Sequence, residues 1–204
     1  MLPEQMDDYV TTILDLKKEY ARDITIHLGL EVEYFPERYE QLMSFLGQYP
    51  LEYMIEGQHY LRNGLPSDVM VFRPLSDEQV LIDYVDICIA GMESGSFLYL
   101  AHPDVLHYIG NETPYRREMR RLCIRAKELG IPLEYNLYGF ADGRNYPNPL
   151  FWEMAAEVGN QAILGCDAHK VESVCPGTVI AAAEAQLEKL GITVLPDLED
   201  FLVK

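Results

Sequence analysis

The sequence has few cysteines, no long apolar run and few basic residues. Its 4 cysteines lie far apart with no C-x-x-C pair, which favours free thiols in a reducing compartment over a disulfide framework. No apolar run approaches the length of a membrane span, so we expect no membrane partner. The first residues, Met1 to Asp8, are acidic and polar, unlike a secretory signal. These features together predict a cytoplasmic protein.

The charge is strongly acidic. Lysine and arginine number 16 against 33 aspartates and glutamates, for a formal net charge of −17. Such a surface repels polyanions, so nucleic acid is not expected as a partner. A small anionic substrate stays compatible with this charge, because a few arginines or a metal cluster can reverse the potential inside one cleft.

The chain of 204 residues is expected to form a single domain over residues 1–204, large enough to bury a core without disulfides. Helices and strands alternate along it, which indicates parallel α/β architecture with crossover helices. The predicted helices cover residues 3–22, 36–47, 76–95, 114–129, 150–158 and 178–190, with a short helix at the C-terminus. The predicted strands are Ile24–Val32, Leu51–Ile55, Phe97–Ala101, Ile131–Asn136, Gln161–Leu164 and Ile192–Leu195. Residues 60–76 are predicted to form a long loop, and residues 139–149 are rich in turn formers.

Polar residues of the ligand type follow five consecutive strands. These residues are Glu31, His59, His102, Asn136 and Asp167. In a (β/α) barrel the carboxyl ends of all strands meet at one mouth, where active sites of that fold lie. An open doubly wound sheet would concentrate its site at one crevice instead. Five successive contributions therefore favour the barrel.

The residue types indicate a catalytic metal site. In Asp167-x-His169 the two side chains point to the same side of an extended backbone. Carboxylates and imidazoles without cysteine suit Zn, Mn or Fe, and metals held in this way assist hydrolysis. The alternative is structural: Glu31 could cap a turn, and His59 and His102 could be ordinary loop histidines.

Five short stretches occur in a fixed order: Leu28–Tyr34 (LGLEVEY), Ile55–His59 (IEGQH), Leu100–Asp104 (LAHPD), Leu133–Asn136 (LEYN) and Gly165–His169 (GCDAH). They resemble the G-x-E-x-D-Y, G-S-x-H, G-H-x-D, L-E-x-N and G-S-D-A-H motifs of the polymerase and histidinol phosphatase (PHP) family, in its histidinol-phosphatase branch. Glu33 stands where the first motif has Asp, and Gln58 replaces a small residue of the second. The resemblance runs from about Tyr9 to the C-terminus.

The resemblance implies a distorted (β/α)7 barrel with up to three divalent metal ions. Glu31 would bridge two of them, and His59 and His102 would complete one of those sites. Asp167 would serve the other and His169 the third, which makes these two the expected catalytic pair.

The resemblance also implies a binding site for the substrate. Arg144, in the stretch GRNYP, resembles an arginine that this branch uses on the phosphate, where a bidentate guanidinium would offset the acidic field. Arg116 is a weaker candidate for the same role. Asn136 is expected to contact phosphate or substrate.

One departure bears on activity. The family begins with a strand carrying H-x-H, and this sequence contains no H-x-H. We therefore expect a barrel that lacks its first βα units, binds fewer metals than its relatives and associates with itself to cover the open edge. The expected function is hydrolysis of a small phosphorylated metabolite, L-histidinol phosphate, to L-histidinol and phosphate, with activity impaired in this chain. The alternative is a non-catalytic relative that binds a metal or a phosphorylated metabolite.

Overall fold

The computed structural model describes residues 2–62, 64, 68–174 and 176–196. Its helices are α1 (Met6–Glu19), α2 (Pro36–Leu46), α3 (Glu78–Glu93), α4 (Glu112–Leu129), α5 (Leu137–Asp142), α6 (Pro149–Val158) and α7 (Gly177–Leu190). Its strands are β1 (Gly29–Val32), β2 (Tyr53–Glu56), β3 (Leu133–Asn136), β4 (Gln161–Gly165) and β5 (Thr193–Val194). Single 3-10 turns cover Pro3–Gln5 and Val171–Ser173. The predicted terminal helix lies outside the described residues.

The strands form one parallel array in chain order. β1 pairs with β2, and β3 pairs with β4 and β4 with β5. A central segment, residues 98–101, joins the two groups, because Leu100 forms parallel bridges to Glu56 on one side and Leu133 on the other. Every strand therefore presents its carboxyl end at the same edge of the array. Among the described residues β5 does not pair with β1, so the fold is mixed α/β and closure into a barrel stays a prediction.

Three predicted elements differ in extent. The first strand begins at Gly29 instead of Ile24, because residues 24–28 have no strand paired beside them in the described part of the chain. The central segment has only bridge pairing at Leu100, where a longer strand was predicted. The turn-rich stretch begins with helix α5, which the Asn136 side chain caps by accepting a hydrogen bond from the Gly139 N–H.

The helices cover the outer face of the array. The larger core packs α3, α4, α6 and α7 against β3 and β4, around Trp152 and Phe151. A second core joins α1 and α2 to β1, with Met6 and Leu46 among its buried members. None of the described helices is both long and apolar enough to cross a lipid bilayer.

The arginines of α4 are paired with acidic groups. Arg117 contacts Glu78 at 2.8 Å, and Arg121 contacts Asp86 at 2.7 Å, so both tie α4 to α3. Exposed pairs of this kind add little stability each. The basic helix predicted from the sequence is α4, and these two arginines connect it to acidic residues of α3.

Candidate metal centre

Three predicted ligands from separate strands meet at the carboxyl edge of the array. The Glu31 Oε1 atom lies 3.0 Å from His102 Nε2 and 3.6 Å from His59 Nε2. The two imidazole rings are 4.7 Å apart, centroid to centroid. Each of the three residues offers one ligand atom within 4.8 Å of the other two. The parallel strands bring these side chains together although they are far apart in sequence.

Local packing explains how Glu31 reaches this position. A Cβ atom at Gly57 would lie 1.9 Å from Glu31 Oε1, so the carboxylate lies directly over the glycine. Glu31 lies in β1, and Gly57 directly follows β2, the strand that pairs with β1. Only a residue without a side chain at position 57 leaves room for the carboxylate.

The electrostatics of the three residues favour a cation. Burial by itself lowers the pKa of His102, but the hydrogen bond that its Nε2–H donates to Glu31 and the charges of nearby carboxylates raise the pKa to about 9. Burial raises the pKa of Glu31, but the hydrogen bond from His102 and the charges of His102, His59 and His169 together leave the pKa below its usual value. The site therefore has a negative potential that attracts positive charge, whether a proton or a metal.

The donor set fits a divalent metal. Two imidazole nitrogens and one carboxylate oxygen form a set that catalytic zinc sites use, with positions left open for water or substrate. The Nδ1 atom of His102 is buried and has no hydrogen-bond partner, so only one ring nitrogen of this histidine is paired within the described part of the protein. Glu31, His59 and His102 are the residues that would bind the ion.

Asp167 and His169 lie beside these three residues. The charge of Asp167 acts on His102 and that of His169 on Glu31, so both share the same edge of the array. His169 is open to solvent, with 69% of its side chain exposed, and its Nδ1 lies 3.6 Å from Asp167 Oδ1. The metal-ligand geometry found among the described residues does not include this pair. Their metal-binding and catalytic roles stay predictions.

The three predicted substrate residues lie in different settings. Arg144 lies near His169, because its guanidinium is 4.3 Å from the centre of the Tyr138 ring, which in turn lies 5.3 Å from the His169 ring. Arg116 pairs with Glu112 on the surface, and its described contacts include none of the predicted site residues. Asn136 is 1% exposed, and its amide is already engaged on both sides, so any role on substrate stays a prediction.

Two neighbours of the site, Glu33 and Asp104, are not among the predicted site residues, although both lie in the quoted motifs. Glu33 lies 3.4 Å from His59 Nδ1 and accepts a hydrogen bond from the Tyr60 N–H. It lies two residues after Glu31, on the same side of the strand, and that spacing was the available signal. Asp104 is buried and accepts hydrogen bonds from the Asn148 N–H and the Trp152 indole. Burial raises the pKa of Asp104 to about 7.

The chain is similar in sequence to named proteins. No family model matches the chain. A Deinococcus radiodurans protein named "Probable histidinol-phosphatase" is 27% identical over 194 residues, covering 92% of this chain and 74% of that protein. A Schizosaccharomyces pombe protein of the same name is 29% identical over 216 residues, covering 95% of this chain and 69% of that protein.

Solved structures match the fold. A HisK structure from Listeria monocytogenes superposes with a TM-score of 0.71 at 19% identity, covering 88% of this chain and 77% of that one. The histidinol phosphate phosphatase HisK of Lactococcus lactis, solved with zinc, L-histidinol and phosphate, superposes with a TM-score of 0.68 at 17% identity, covering 93% of this chain and 76% of that one. The chain is thus similar in sequence to proteins named probable histidinol-phosphatase, and similar in fold to two solved HisK structures.

Proposed function

We propose that this protein hydrolyses a phosphomonoester, L-histidinol phosphate, with the help of divalent metal bound by Glu31, His59 and His102. The observation that carries the proposal is the convergence of one carboxylate and two imidazoles at the carboxyl edge of the parallel array. The names of the sequence relatives, and the zinc, histidinol and phosphate bound by the Lactococcus protein, support it.

The residues of this chain have separate tasks in the proposed reaction. When bound, a divalent ion would supply the Lewis acidity that polarises a phosphoryl oxygen and activates water. The Glu31 carboxylate and the neutral imidazoles of His59 and His102 hold that ion. Asp167 and His169 extend the site along the same edge, and the family resemblance gives them further metal ligation. The ion is zinc in the Lactococcus relative, and manganese or iron would suit the same donors.

Arg144 is proposed to bind the phosphate. Its guanidinium donates a hydrogen bond of 2.9 Å to the Tyr138 hydroxyl and one of 3.1 Å to Asp142 Oδ2, while 40% of the side chain stays exposed. Tyr138 contacts His169, so the arginine lies at the rim of the proposed site. A planar guanidinium in this position can bind two phosphate oxygens at once.

Two measurements test the function together: the metal content of the purified protein and phosphate release from L-histidinol phosphate. We expect bound divalent metal and release that fails in Glu31→Gln and His102→Ala. His27→Gln is the control, since His27 pairs with Glu52 instead. Absence of bound metal, or release unchanged in both site variants, would show the proposal to be wrong. Metal or phosphate binding without turnover would favour the alternative, a binding protein.

The array is further proposed to be part of a distorted (β/α)7 barrel whose open edge is covered by a second copy. Among the described residues β1 pairs on one side only, with β2. A groove of about 580 Å³ runs beside it, lined by apolar residues such as Leu30, Phe35 and Leu42. Exposed strand edges and apolar grooves favour association. Light scattering at high concentration should report a dimer or larger species, and a strictly monomeric protein contradicts this proposal.

A further inference from the structure

Two proposed metal ligands have a strained backbone. His102 has φ of 29° and Asp167 has φ of 46°, and they are the two non-glycine residues with positive φ in the described part of the chain. Residues with side chains rarely adopt this conformation, and it persists where the surroundings enforce it. His102 directly follows the segment 98–101, and Asp167 lies two residues after the end of β4. Contacts with neighbouring residues must therefore hold His102 and Asp167 in this conformation.

A single buried carboxylate connects the two strained residues. Glu134, in the middle of β3, is 3% exposed. Its Oε2 atom accepts a 2.8 Å hydrogen bond from the His102 N–H and a 3.1 Å hydrogen bond from Asn136 Nδ2. The same Nδ2 lies 3.2 Å from Asp167 Oδ2. A continuous set of hydrogen bonds thus runs from the backbone of one proposed ligand to the side chain of the other.

Space for Glu134 is provided by a glycine on the next strand. A Cβ atom at Gly165 would lie 1.7 Å from Glu134 Oε1, so the carboxylate fills the volume that a side chain would take. Gly165 pairs in register with Asn136, two residues after Glu134. Asn136 is fixed in turn, because its Oδ1 accepts a 2.8 Å hydrogen bond from the Gly139 N–H.

We propose that Glu134 is a positioning residue: it holds the His102 backbone directly, orients the Asp167 side chain through Asn136, and thereby sets the metal affinity of the site. This inference rests on the proposed metal centre. Glu134 itself does not touch substrate or metal. Its effect is exerted through the hydrogen bonds that its oxygen accepts, so an amide in its place keeps the function and a hydrocarbon side chain loses it.

The test measures binding of Co²⁺ alone, by calorimetry and by the visible absorption of the bound ion. In Glu134→Leu and in Gly165→Ala we expect affinity about 10 to 100 times weaker and an altered spectrum, the loss typical of outer partners of metal ligands. Glu134→Gln should bind within about threefold of wild type, because its side-chain oxygen accepts the same two hydrogen bonds. Gly177→Ala is the matched control, since nothing lies within 4 Å of a Cβ atom there.

Each outcome bears on a defined claim. Folded Glu134→Leu and Gly165→Ala proteins with wild-type affinity and spectrum would overturn the positioning role, whatever their melting temperatures. Should Glu134→Leu fail to fold, Gly165→Ala decides alone. A loss in Glu134→Gln as large as in Glu134→Leu also overturns it. A wild-type chain that binds no Co²⁺ overturns the metal centre and this inference together. Wild-type protein that binds Co²⁺ but does not hydrolyse L-histidinol phosphate refutes the proposed reaction and leaves the positioning role standing.

Discussion

Replacing Gly57 by alanine is expected to weaken metal binding at the candidate site without destabilising the fold. The added Cβ would lie 1.9 Å from Glu31 Oε1, 2.5 Å from its Cδ and 2.6 Å from its Cγ. Real Cβ contacts shorter than 3.0 Å essentially do not occur, so the carboxylate must move by about 1 Å. Gly57 is not among the glycines with positive φ, so alanine suits its backbone. Because the Glu31 side chain is 35% exposed, it can swing towards solvent without disturbing the core.

A displacement of this size is large for a ligand. Metal–ligand distances must hold to within about 0.2 Å, so we expect affinity to fall by about 100-fold. At a metal concentration 100 times the wild-type Kd, metal stabilises the folded protein by about 2.7 kcal/mol. The same concentration would stabilise Gly57→Ala by about 0.4 kcal/mol. For a domain of this size, metal should raise Tm by about 5 to 10 °C in wild type and by about 1 °C in the variant.

Thermal unfolding with and without Zn²⁺, together with competition against a chromophoric chelator, measures both quantities. The metal-free Tm of Gly57→Ala should stay close to that of wild type, because overpacking is relieved by movement of an exposed side chain. Gly177→Ala is again the control. A variant that binds Zn²⁺ within twofold of wild type would refute the reasoning, since Glu31 then would not contribute to binding. A variant that unfolds without metal would show that Gly57 is structural.

Three further predictions follow from other parts of the molecule. Glu56 is fully buried with both carboxylate oxygens unpaired, and burial raises its pKa well above the usual value. The protonated form of Glu56 therefore contributes stability to the folded protein below about pH 4.5. That stability should be lost as the pH rises towards the pKa of Glu56 in the folded protein. Glu56→Gln should flatten this dependence and add at least about 1 kcal/mol at pH 8 in denaturant titrations, and an unchanged pH profile contradicts it. Arg144→Lys should lower kcat/KM about tenfold at unchanged metal content, because lysine cannot bind two phosphate oxygens in the plane of a guanidinium, and steady-state kinetics with metal analysis checks this. Chelator should lower the Tm of metal-loaded wild type by several degrees but leave His59→Ala unaffected, whereas equal shifts in both proteins would place the metal elsewhere.

Local patterns were sufficient for most of the fold. Proline at the start of α2, the Asp77 cap of α3 and Gly130 after α4 mark helix ends by short-range chemistry, and the structure confirms these helices. The first strand was predicted too long because its N-terminal half has apolar residues but no strand beside it. Helix α5 was missed because most of it lies in residues 139–149, which are rich in turn formers.

The sequence by itself determined the parallel α/β class, the order of the elements other than α5 and the residue types of the candidate metal centre, because strand-end motifs and apolar periodicity are local properties. The family resemblance already grouped Glu31 with His59 and His102. Only the tertiary structure showed that their ligand atoms lie within 4.8 Å of one another, while His169 remains largely exposed beside Asp167. It also showed that Gly57 and Gly165 leave room for carboxylates from neighbouring strands, Glu31 and Glu134. Such contacts join residues that are far apart in the chain, and their distances depend on strand register and packing, which no local pattern encodes.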